Sequence, residues 1–385
     1  MQNLRQIAKS IYYFFFAKIA HTALRKSKAQ DEKTHSKKTI NIVCRFRVQN
    51  GLTNGANYHM CALEKLGYDV RRIDITPAIR NPLKKIEGSK QDIYIFHCAA
   101  PQFLQQAWPL RESLKESGKR IGYFAWELPE PPVNWPVYDD VWDEIWTTSS
   151  FSAQGLGKLY KCPIHVVPHV MEKYSPAPRV WKKGQESLTF LTMADARSGL
   201  TRKNPAAAVD AFQKAFPTKQ DVSLIIKLQG STDIPEIKAF VESVTKDSRI
   251  KVLMKTLSRE EIDELITKSH VFVSLHRAEG FSLPLLEARM AGLATIATAW
   301  SGNMDFMNEN DSILVPARLV EMFDESGVYG TVTWADPDTD FAARAMRRMY
   351  DDPEKMAAIA RAGWEASSPE KQLEEYEIAI KKAGL

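Results

Sequence analysis

Two glutamates, Glu279 and Glu287, flank the start of a short predicted helix in the second half of the chain. An apolar, strand-like run at Val271 to Ser274 precedes them, and the turn Gly280-Phe281-Ser282 opens the helix. The N-terminus of a helix presents unpaired backbone N–H groups and a partial positive charge, which suit a diphosphate. Carboxylates nearby can accept hydrogen bonds from sugar hydroxyls. The segment therefore predicts groups for both the phosphates and the sugars of a nucleotide sugar.

Each part of this segment also has a purely structural explanation. Ser282 can act as an N-cap, Pro284 is tolerated in a first helical turn, and Glu287 can be placed there by the helix dipole. The alternative is weaker for Glu279, because it lies in a loop beyond the C-terminal end of an apolar strand, where open α/β sheets bind ligands. Two glutamates at this spacing are a weak signal on their own, and the surrounding string is the stronger one.

The string HRAEGFSLPLLEARMAG, followed by ATIATAWSGNMDFM, resembles the donor-site signature of the family 4 retaining glycosyltransferases, and most of all their mannosyltransferase-type members. That signature contains Glu-x7-Glu, which Glu279 and Glu287 match. The resemblance covers most of residues 185–320 well and residues 40–170 more loosely. This sequence departs from the signature at Ser282, where many members have glycine. A serine narrows the space in which the donor can approach the backbone, but it keeps the backbone N–H. The resemblance implies an α/β protein of the GT-B fold, with two doubly wound Rossmann-like domains and a cleft between them.

The resemblance also implies roles on the donor side. Lys203, in the string RKNP, matches the phosphate-binding lysine, while Arg197 and Arg202 compete for the accompanying arginine. Glu279 would bind hydroxyls of the transferred sugar, and Glu287 would bind the ribose hydroxyls. The other candidate donor-binding residues are Gly280, Phe281, Ser282, Leu283, Lys227, Ser301 and Gly302.

For both Lys203 and Lys227 the sequence also allows a purely structural role. A Lys-Asn-Pro string is by itself more often a solvated helix start, but Lys203 follows a predicted strand and precedes the glutamate motif. Lys227, at the end of a neighbouring strand, is equally well explained as a salt-bridged structural lysine. The resemblance implies that fixed cations and backbone N–H groups stabilise the leaving diphosphate without a metal ion or other cofactor. In keeping with this, no Asp-x-Asp pair stands at the site.

The first half of the chain is less informative. In relatives the end of the strand that corresponds to the predicted strand Arg120–Trp126 faces the reaction centre, so the resemblance implies that Glu127 contacts the sugar there. The alternative is a carboxylate that caps the turn before Pro129. The segment Gly51 to Gly55 predicts a glycine-containing turn after the first strand. In relatives this loop approaches the donor or the acceptor, which makes Gly51, Asn54 and Gly55 candidates. His97 and His169 are interpreted as structural residues.

Strands alternate with helices from Thr39 onward, which predicts mostly parallel sheets covered on both faces. The first series of predicted strands is Ile40–Phe46, Asp92–Cys98, Arg120–Trp126, Glu144–Thr148 and Ile164–Pro168. The second is Leu188–Met193, Val222–Leu228, Ile250–Met254, Val271–Ser274 and Ala294–Thr298. The clearest predicted helices are Gly55–Leu66, Gln102–Ser117, Pro205–Phe216 and Arg259–Lys268.

The length of 385 residues and the 44% of hydrophobic residues suit two globular domains. An N-terminal acceptor domain at residues 39–170 is followed by a linker at 171–187, which is rich in proline and charge. A C-terminal donor domain spans residues 188–365. The last segment, residues 366–385, is expected to form a helix that crosses back to the first domain.

Residues 1–38 differ from the rest of the chain in charge. They contain nine Lys or Arg against Asp31 and Glu32, a net charge of +7, so the remainder carries 5 − 7 = −2. This disfavours a nucleic-acid partner, whose binding surface would be basic over the folded part. The apolar run Ile11 to Ala17 is too short to span a membrane. We expect a basic amphipathic helix that lies on an anionic membrane surface, with a helix packed on the protein itself as the alternative.

The four scattered cysteines indicate a reducing compartment. Together, these features predict a cytoplasmic enzyme, peripheral on the inner face of the membrane, that transfers a hexose from GDP-mannose or a UDP-hexose. The acceptor would be a glycan or a lipid-linked saccharide in cell-surface polysaccharide or lipopolysaccharide synthesis. The alternatives are a non-catalytic nucleotide-sugar-binding subunit and an epimerase of the same fold.

Overall fold

The computed structural model describes residues 16–25 and 38–385, except residues 49, 80, 82, 90, 132–134, 173–176, 179 and 325–328 and the side chain of Arg197. The chain divides into two compact units. The first comprises Met1–Val170 together with Leu373–Leu385, and the second comprises Met171–Gln372.

The first unit contains a six-stranded parallel sheet in the order β2-β1-β3-β4-β5-β6. Its strands are β1 (Ile40–Cys44), β2 (Val70–Asp74), β3 (Ile93–His97), β4 (Lys119–Tyr123), β5 (Glu144–Thr147) and β6 (Ile164–Val166). Its helices are α1 (residues 16–24), α2 (Gly51–Lys65), α3 (Phe103–Ala107), α4 (Arg111–Leu114) and α5 (Ser150–Gly157). The chain changes direction across the sheet between β1 and β3.

The second unit contains a six-stranded parallel sheet in the order β12-β11-β10-β7-β8-β9 and a separate antiparallel hairpin, β13-β14. The strands are β7 (Leu188–Asp195), β8 (Val222–Gln229), β9 (Ile250–Leu253), β10 (Val271–Ser274), β11 (Ala294–Thr298), β12 (Ile313–Val315), β13 (Ala317–Phe323) and β14 (Thr331–Pro337). The helices that follow along the chain are α6 (Leu200–Lys203), α7 (Pro205–Ala215), α8 (Pro235–Val244), α9 (Arg259–Thr267), α10 (Leu283–Met290), α11 (Thr339–Asp351), α12 (Pro353–Ala366) and α13 (Pro369–Lys382).

Helices cover both faces of the second sheet. Successive strand residues point to opposite sides, so neighbouring residues pack against different helices. Phe190 packs in one buried cluster with Phe212 of α7, whereas the next residue, Leu191, packs in another with Leu285 of α10. The first sheet has the same construction: Ile95 lies in a cluster with residues of α2 and α13, and Phe96, on the other face, packs against Phe103 of α3. The predicted α/β fold with two doubly wound parallel sheets is confirmed.

Three local predictions in the first unit are wrong. The segment Gly51 to Gly55 is not a turn but the start of α2, which Asn50 caps by accepting the N–H of Thr53 at 3.0 Å. The single helix predicted at Gln102–Ser117 is broken into short pieces, because Pro109 lacks an N–H and its ring obstructs a regular helix. The strand predicted at Arg120–Trp126 ends at Tyr123.

The described part of the N-terminal segment packs on the first unit. Ala20 and Leu24 of α1 are buried, and the guanidinium of the buried Arg120 donates to the carbonyl oxygen of Leu24. Asp140 pairs with Arg25 at 2.6 Å and with His21 at 2.7 Å. For residues 16–25 the alternative of a helix packed on the protein is therefore the observed one. The rest of the segment, residues 1–15 and 26–37, lies outside the described residues. No helix in the described ranges combines the length and apolar character needed to cross a bilayer.

Candidate active site

The loops that carry the predicted donor residues follow adjacent strands, β7 and β10, which lie side by side in the centre of the second sheet. The chain proceeds outward in opposite directions from these two strands. Such a reversal opens a crevice at the carboxyl ends of parallel strands, where α/β proteins bind ligands. Lys203 stands in the loop region after β7, and Glu279 stands in the loop after β10. The topology thus brings together two residues that are 76 positions apart.

Lys203 and Glu279 form an ion pair between Nζ and Oε1, in which Glu279 is buried and Lys203 half-buried, with side chains 9% and 16% exposed. Arg202 approaches the other carboxylate oxygen, with Nη1 lying 3.5 Å from Oε2. Burial would raise the pKa of the Glu279 carboxyl, but the charges of Lys203 and Arg202 outweigh it and lower the pKa to about 2. Glu279 is therefore an ionised acceptor at every physiological pH, paired with a lysine.

The two arginine candidates differ in what the structure assigns to them. Arg202 is buried, and its guanidinium donates to the carbonyl oxygens of Ala278 at 2.8 Å and Ser198 at 3.1 Å. It ties the loop after β7 to the loop after β10. Arg197 lies in a short 3-10 turn, Ala196–Ser198, and its side chain is outside the described part of the chain.

A third loop, after β11, closes against the Glu279 loop through backbone contacts. The N–H of Gly302 donates to the carbonyl oxygen of Glu279 at 2.9 Å, and the N–H of Glu279 donates to Oγ of Ser301 at 3.1 Å. A Cβ at Gly302 would lie 2.1 Å from the carbonyl oxygen of Gly280, so only glycine allows this approach. Ser301 and Gly302, predicted as donor-binding residues, thus lie directly beside the Glu279 loop.

His276 contacts residues of the loops after β10 and β11. The sequence did not indicate a role for it. Its ring is fully buried; Nδ1 lies 2.9 Å from Oγ of Ser274, and Nε2 lies 3.1 Å from Oδ1 of Asn303 and 3.2 Å from Oγ of Ser301. Burial lowers the pKa of the imidazole, against an opposing contribution from the Glu279 carboxylate. The ring is therefore a neutral support at neutral pH. Its position two residues after a strand was the only available sequence signal.

The N-terminus of α10 begins at Ser282, next to Gly280 and Phe281. Ser282 has φ 75°, and its side chain makes no capping hydrogen bond. The alternative in which Ser282 is a side-chain cap is therefore wrong, and its left-handed backbone explains why glycine suits this position. The ring of Phe281 packs against Phe306 at 5.0 Å between centroids, and Leu283 is the first residue of the helix.

Positive φ angles are concentrated here. Of the four non-glycine residues with positive φ in the described ranges, three belong to the loops around Glu279: Asn204 at 49°, Ser282 at 75° and Ser301 at 86°. Such conformations cost about 1–3 kcal/mol each and persist only where neighbouring contacts enforce them. The side chain of Asn204 supplies one such contact by donating to the carbonyl oxygen of Leu275 at 2.9 Å. Strain at this density is typical of a binding or catalytic site.

Glu287 lies on α10, one helical turn beyond the N-terminal residues. Its carboxylate pairs with Arg259 of α9, which also contacts Asp263 at 2.8 Å. Burial raises the pKa of Glu287, and Arg259 opposes this shift. The side chain is 9% exposed, so its free acceptor positions are few. Arg259 is a further residue that sequence reasoning missed, because an arginine at a helix start carries no special signal.

Lys227 is buried near the carboxyl end of β8, opposite Met193 of β7 in the sheet register. It alternates with Ile226 and Leu228, which point into the cluster on the α7 face. Its side chain therefore emerges on the α10 face, the side on which Glu287 and the start of α10 also lie. Both its predicted roles, donor contact and structural lysine, remain open.

The remaining candidates belong to the first unit. Glu127 is half-buried in an irregular segment four residues past the end of β4. Gly51 and Asn54 are exposed in the first turns of α2, whereas Gly55 is buried, and a Cβ there would lie 2.6 Å from Cε1 of His169.

Three buried histidines lie near the switch point of the first sheet. The ring centroid of His59 is 4.8 Å from that of His97 and 5.4 Å from that of His169, and His97 stacks on Tyr123 at 4.4 Å. Neither ring nitrogen of His59 or His97 has a hydrogen-bond partner among the described residues. Burial lowers the pKa of all three imidazoles, that of His169 to about 3. Across the described ranges, no group of three or more His, Cys, Asp or Glu is arranged to hold a metal ion.

Comparison with known proteins gives a match to the second unit. Residues 196–365 match the family model of the glycosyl transferases group 1. A curated relative, "Putative glycosyltransferase ORF330" of Acidianus filamentous virus 2 (isolate Italy/Pozzuoli), is 29% identical over 153 residues, which make up 39% of this chain and 44% of that protein. The chain thus matches less than half of the length of this relative.

Solved structures match both units. The chain is similar to Anabaena Alr3699/HepE in complex with UDP and glucose, with a TM-score of 0.60, 12% identity and coverage of 90% of this chain and 100% of that one. It is similar to WaaG, a glycosyltransferase involved in lipopolysaccharide biosynthesis (TM-score 0.54, 12% identity, 88% and 99% coverage). The pneumococcal O-GlcNAc transferase GtfA with UDP and GlcNAc is matched over 76% of this chain and 57% of its own length (TM-score 0.53, 14% identity). These similarities establish the GT-B fold.

Proposed function

Because residues 196–365 match the family model of the glycosyl transferases group 1, we propose that this chain is a retaining glycosyltransferase. The single observation that carries the proposal is the buried Lys203–Glu279 pair, set at the switch point of the second sheet beside the N-terminus of α10, which has no side-chain cap. A lysine, a carboxylate and a helix N-terminus are the groups that a diphosphate and a sugar require.

In the proposed reaction an acceptor hydroxyl attacks the anomeric carbon of a nucleotide sugar. The bond from that carbon to the diphosphate breaks, its electrons pass to the phosphate oxygen, and the proton of the hydroxyl goes to the departing diphosphate. Lys203 exchanges its bond to Glu279 for one to the diphosphate, where it stabilises the developing charge together with backbone N–H groups. Glu279, always ionised, accepts hydrogen bonds from sugar hydroxyls. We propose that no metal ion takes part, so chelator should leave turnover unchanged.

The donor in this proposal is GDP-mannose or a UDP-hexose. The string around Glu279 favours the first, whereas two structural neighbours with 12–14% identity are complexes with UDP, which favours testing UDP-sugars alongside it. The acceptor is proposed to be a glycan or lipid-linked saccharide of cell-surface polysaccharide or lipopolysaccharide synthesis. Residues 1–15, which carry Arg5 and Lys9 beside an apolar run, would hold the enzyme at an anionic inner membrane surface.

The first experiment screens GDP-, UDP- and ADP-sugars for thermal stabilisation of the full chain. A ligand at one hundred times its Kd stabilises the native state by about 2.7 kcal/mol, which raises the melting temperature measurably. Glu279→Gln and Lys203→Met should remove the shift. Lys255→Ala is the matched control, because Lys255 forms an exposed ion pair with Glu261 at 2.7 Å in the same unit.

Turnover of the donor that binds then separates the alternatives. A glycosyltransferase releases nucleoside diphosphate and passes the sugar to an acceptor with retained anomeric configuration, which NMR of the product records. An epimerase would release free sugar without any acceptor, and a binding subunit would be stabilised without turnover. The proposal fails if no nucleotide sugar shifts the melting temperature, or if Glu279→Gln and Lys203→Met respond like the wild type.

A further inference from the structure

Arg277 is a second arginine, besides Arg202, that joins the loops carrying Lys203 and Glu279. Its backbone N–H donates to the carbonyl oxygen of Arg202 at 2.8 Å, and its Nη1 donates to the carbonyl oxygen of Thr201 at 3.0 Å. Both acceptors lie in the short turn of α6 that ends with Lys203. Arg277 itself is two residues before Glu279. One side chain and one backbone N–H thus join the two halves of the ion pair.

Arg277 is anchored in turn by the β13-β14 hairpin. The N–H of Ala335 donates to the carbonyl oxygen of Arg277 at 3.1 Å, and Nη2 of Arg277 lies 3.4 Å from Oδ1 of Asp336. The hairpin also reaches Arg202, whose guanidinium carbon lies 6.0 Å from the centroid of the Tyr329 ring. Trp334, on the same strand as Asp336, is fully buried and fixes the hairpin to the unit.

We propose that Arg277 is a positioning residue that sets the separation between Lys203 and Glu279. Asp336 on the hairpin holds the Arg277 guanidinium in place for this role. The inference rests on the proposed function, because it concerns the same donor site. The guanidinium suits the task, since its planar fork donates to Thr201 and Asp336 at once, whereas a lysine ammonium is a single point charge without that fixed geometry. A displacement of about 1 Å at a reacting centre can lower turnover about a hundredfold, which is the effect that loss of this brace would produce.

The hairpin offers a matched control. Arg318 approaches the other carboxylate oxygen of Asp336 at 3.4 Å, but its side chain is 85% exposed. Arg318→Ala therefore removes an Asp336 ion pair of the same length without touching the Lys203 or Glu279 loops. The test set is Arg277→Ala, Arg277→Lys, Asp336→Ala, the double variant Arg277→Ala/Asp336→Ala, and Arg318→Ala.

The first readout needs no ligand. Hydrogen–deuterium exchange of the full chain should be faster at amides 201–204 and 276–280 in Arg277→Ala and in Asp336→Ala, and unchanged in Arg318→Ala. The double variant should exchange no faster than Arg277→Ala alone, because both residues act through one contact. Melting temperatures within about 3 °C of the wild type verify that each variant is folded. Unchanged exchange in Arg277→Ala overturns the proposal.

The second readout uses UDP-glucose and GDP-mannose as probes, with affinity from calorimetry and turnover from released nucleoside diphosphate. Arg277→Ala should lower turnover about a hundredfold while Kd changes by less than about tenfold, and Arg277→Lys should recover part of the turnover. If Arg277→Ala and Arg277→Lys each lost turnover and affinity to the same extent, the role of Arg277 would be merely structural, which would overturn the proposal. Absence of binding by the wild type would contradict the proposed function, and the exchange experiment would still decide the role of Arg277.

Discussion

Gly302 and Gly280 approach each other so closely that a Cβ on Gly302 would lie 2.1 Å from the carbonyl oxygen of Gly280. The obstacle is backbone, which cannot rotate away as a flexible side chain could. The contact holds the loop after β11 against the Glu279 loop, and it is reinforced by the hydrogen bond from the N–H of Gly302 to the carbonyl oxygen of Glu279 at 2.9 Å.

Gly302→Ala should therefore separate the two loops and weaken nucleotide-sugar binding by at least about tenfold, with a loss of stability of about 1–3 kcal/mol. Calorimetry and thermal melts measure both effects. Gly157→Ala on α5 is the control, because its Cβ would meet only Cδ1 of Ile164 at 4.0 Å. Equal affinities in Gly302→Ala and Gly157→Ala would show that the loop contact does not shape the site.

Removing Lys203 should destabilise the second unit, because among the described residues it leaves the buried Glu279 carboxylate with Arg202, at 3.5 Å, as its remaining ion-pair partner. Loss of one partner of a buried pair costs about 3–5 kcal/mol. Lys203→Met should lower the melting temperature, and Lys203→Met/Glu279→Gln should recover most of that loss while binding no donor. Calorimetric melting and donor titration separate the two effects. If the double variant melts no higher than the single one, Glu279 is not the residue left unpaired.

Glu279 should make stability sensitive to strong acid. Its pKa in the folded state is about 2, below the ordinary 4.5, so the unfolded chain binds more protons between these values. The contribution of Glu279 is therefore complete above about pH 4.5 and is lost as the pH falls toward 2. Glu279→Gln should flatten the dependence of unfolding free energy on pH in that range, measured by urea titration. A slope equal to that of the wild type would contradict this assignment.

The buried histidines His59, His97 and His169 should make stability depend on pH in a milder range than Glu279 does. Burial lowers the folded-state pKa of His59 and His97 below the ordinary 6.5, and neither ring has a hydrogen-bond partner in the described ranges. The unfolded chain then binds more protons, so stability is complete above about pH 6.5 and falls as the pH drops below it. His97→Phe should reduce this slope, measured by melting at pH 5 to 8. His165→Phe is the control, and an unchanged slope in His97→Phe would count against the cluster.

Deleting residues 2–15 should reduce binding to vesicles that contain anionic lipid. Deleting residues 2–25 should in addition destabilise the first unit, because the buried Arg120 loses the carbonyl oxygen of Leu24 and Asp140 loses two partners. Vesicle co-sedimentation and thermal melts distinguish the two deletions. Undiminished sedimentation of the shorter deletion would place any membrane contact elsewhere.

The hydrophobic pattern allowed the two parallel sheets to be predicted from the sequence, because buried parallel strands are short apolar runs separated by helices. An edge strand and the surface hairpin were not predicted, because they lack such apolar runs. The strand β2 has the sequence VRRID, and the hairpin β13-β14 exposes Leu319 and Phe323, so neither shows a clear apolar run. Pro109 is the sequence signal for the observed break within the predicted helix Gln102–Ser117, because proline lacks the N–H that a continuous helix needs there.

The sequence by itself determined the family string, the fold class and the residue types of the donor site, because these depend on local pattern and on chemistry within a few positions. Only the tertiary structure decided how those residues are used. It paired Lys203 with Glu279, turned Arg202 to backbone carbonyls, and placed Arg277 against Asp336. The Lys203–Glu279 and Arg202–Ala278 contacts each join residues 76 positions apart, because the strand order brings the ends of β7 and β10 together. The Arg277–Asp336 contact joins residues 59 positions apart, because the separate β13-β14 hairpin packs beside the loop after β10.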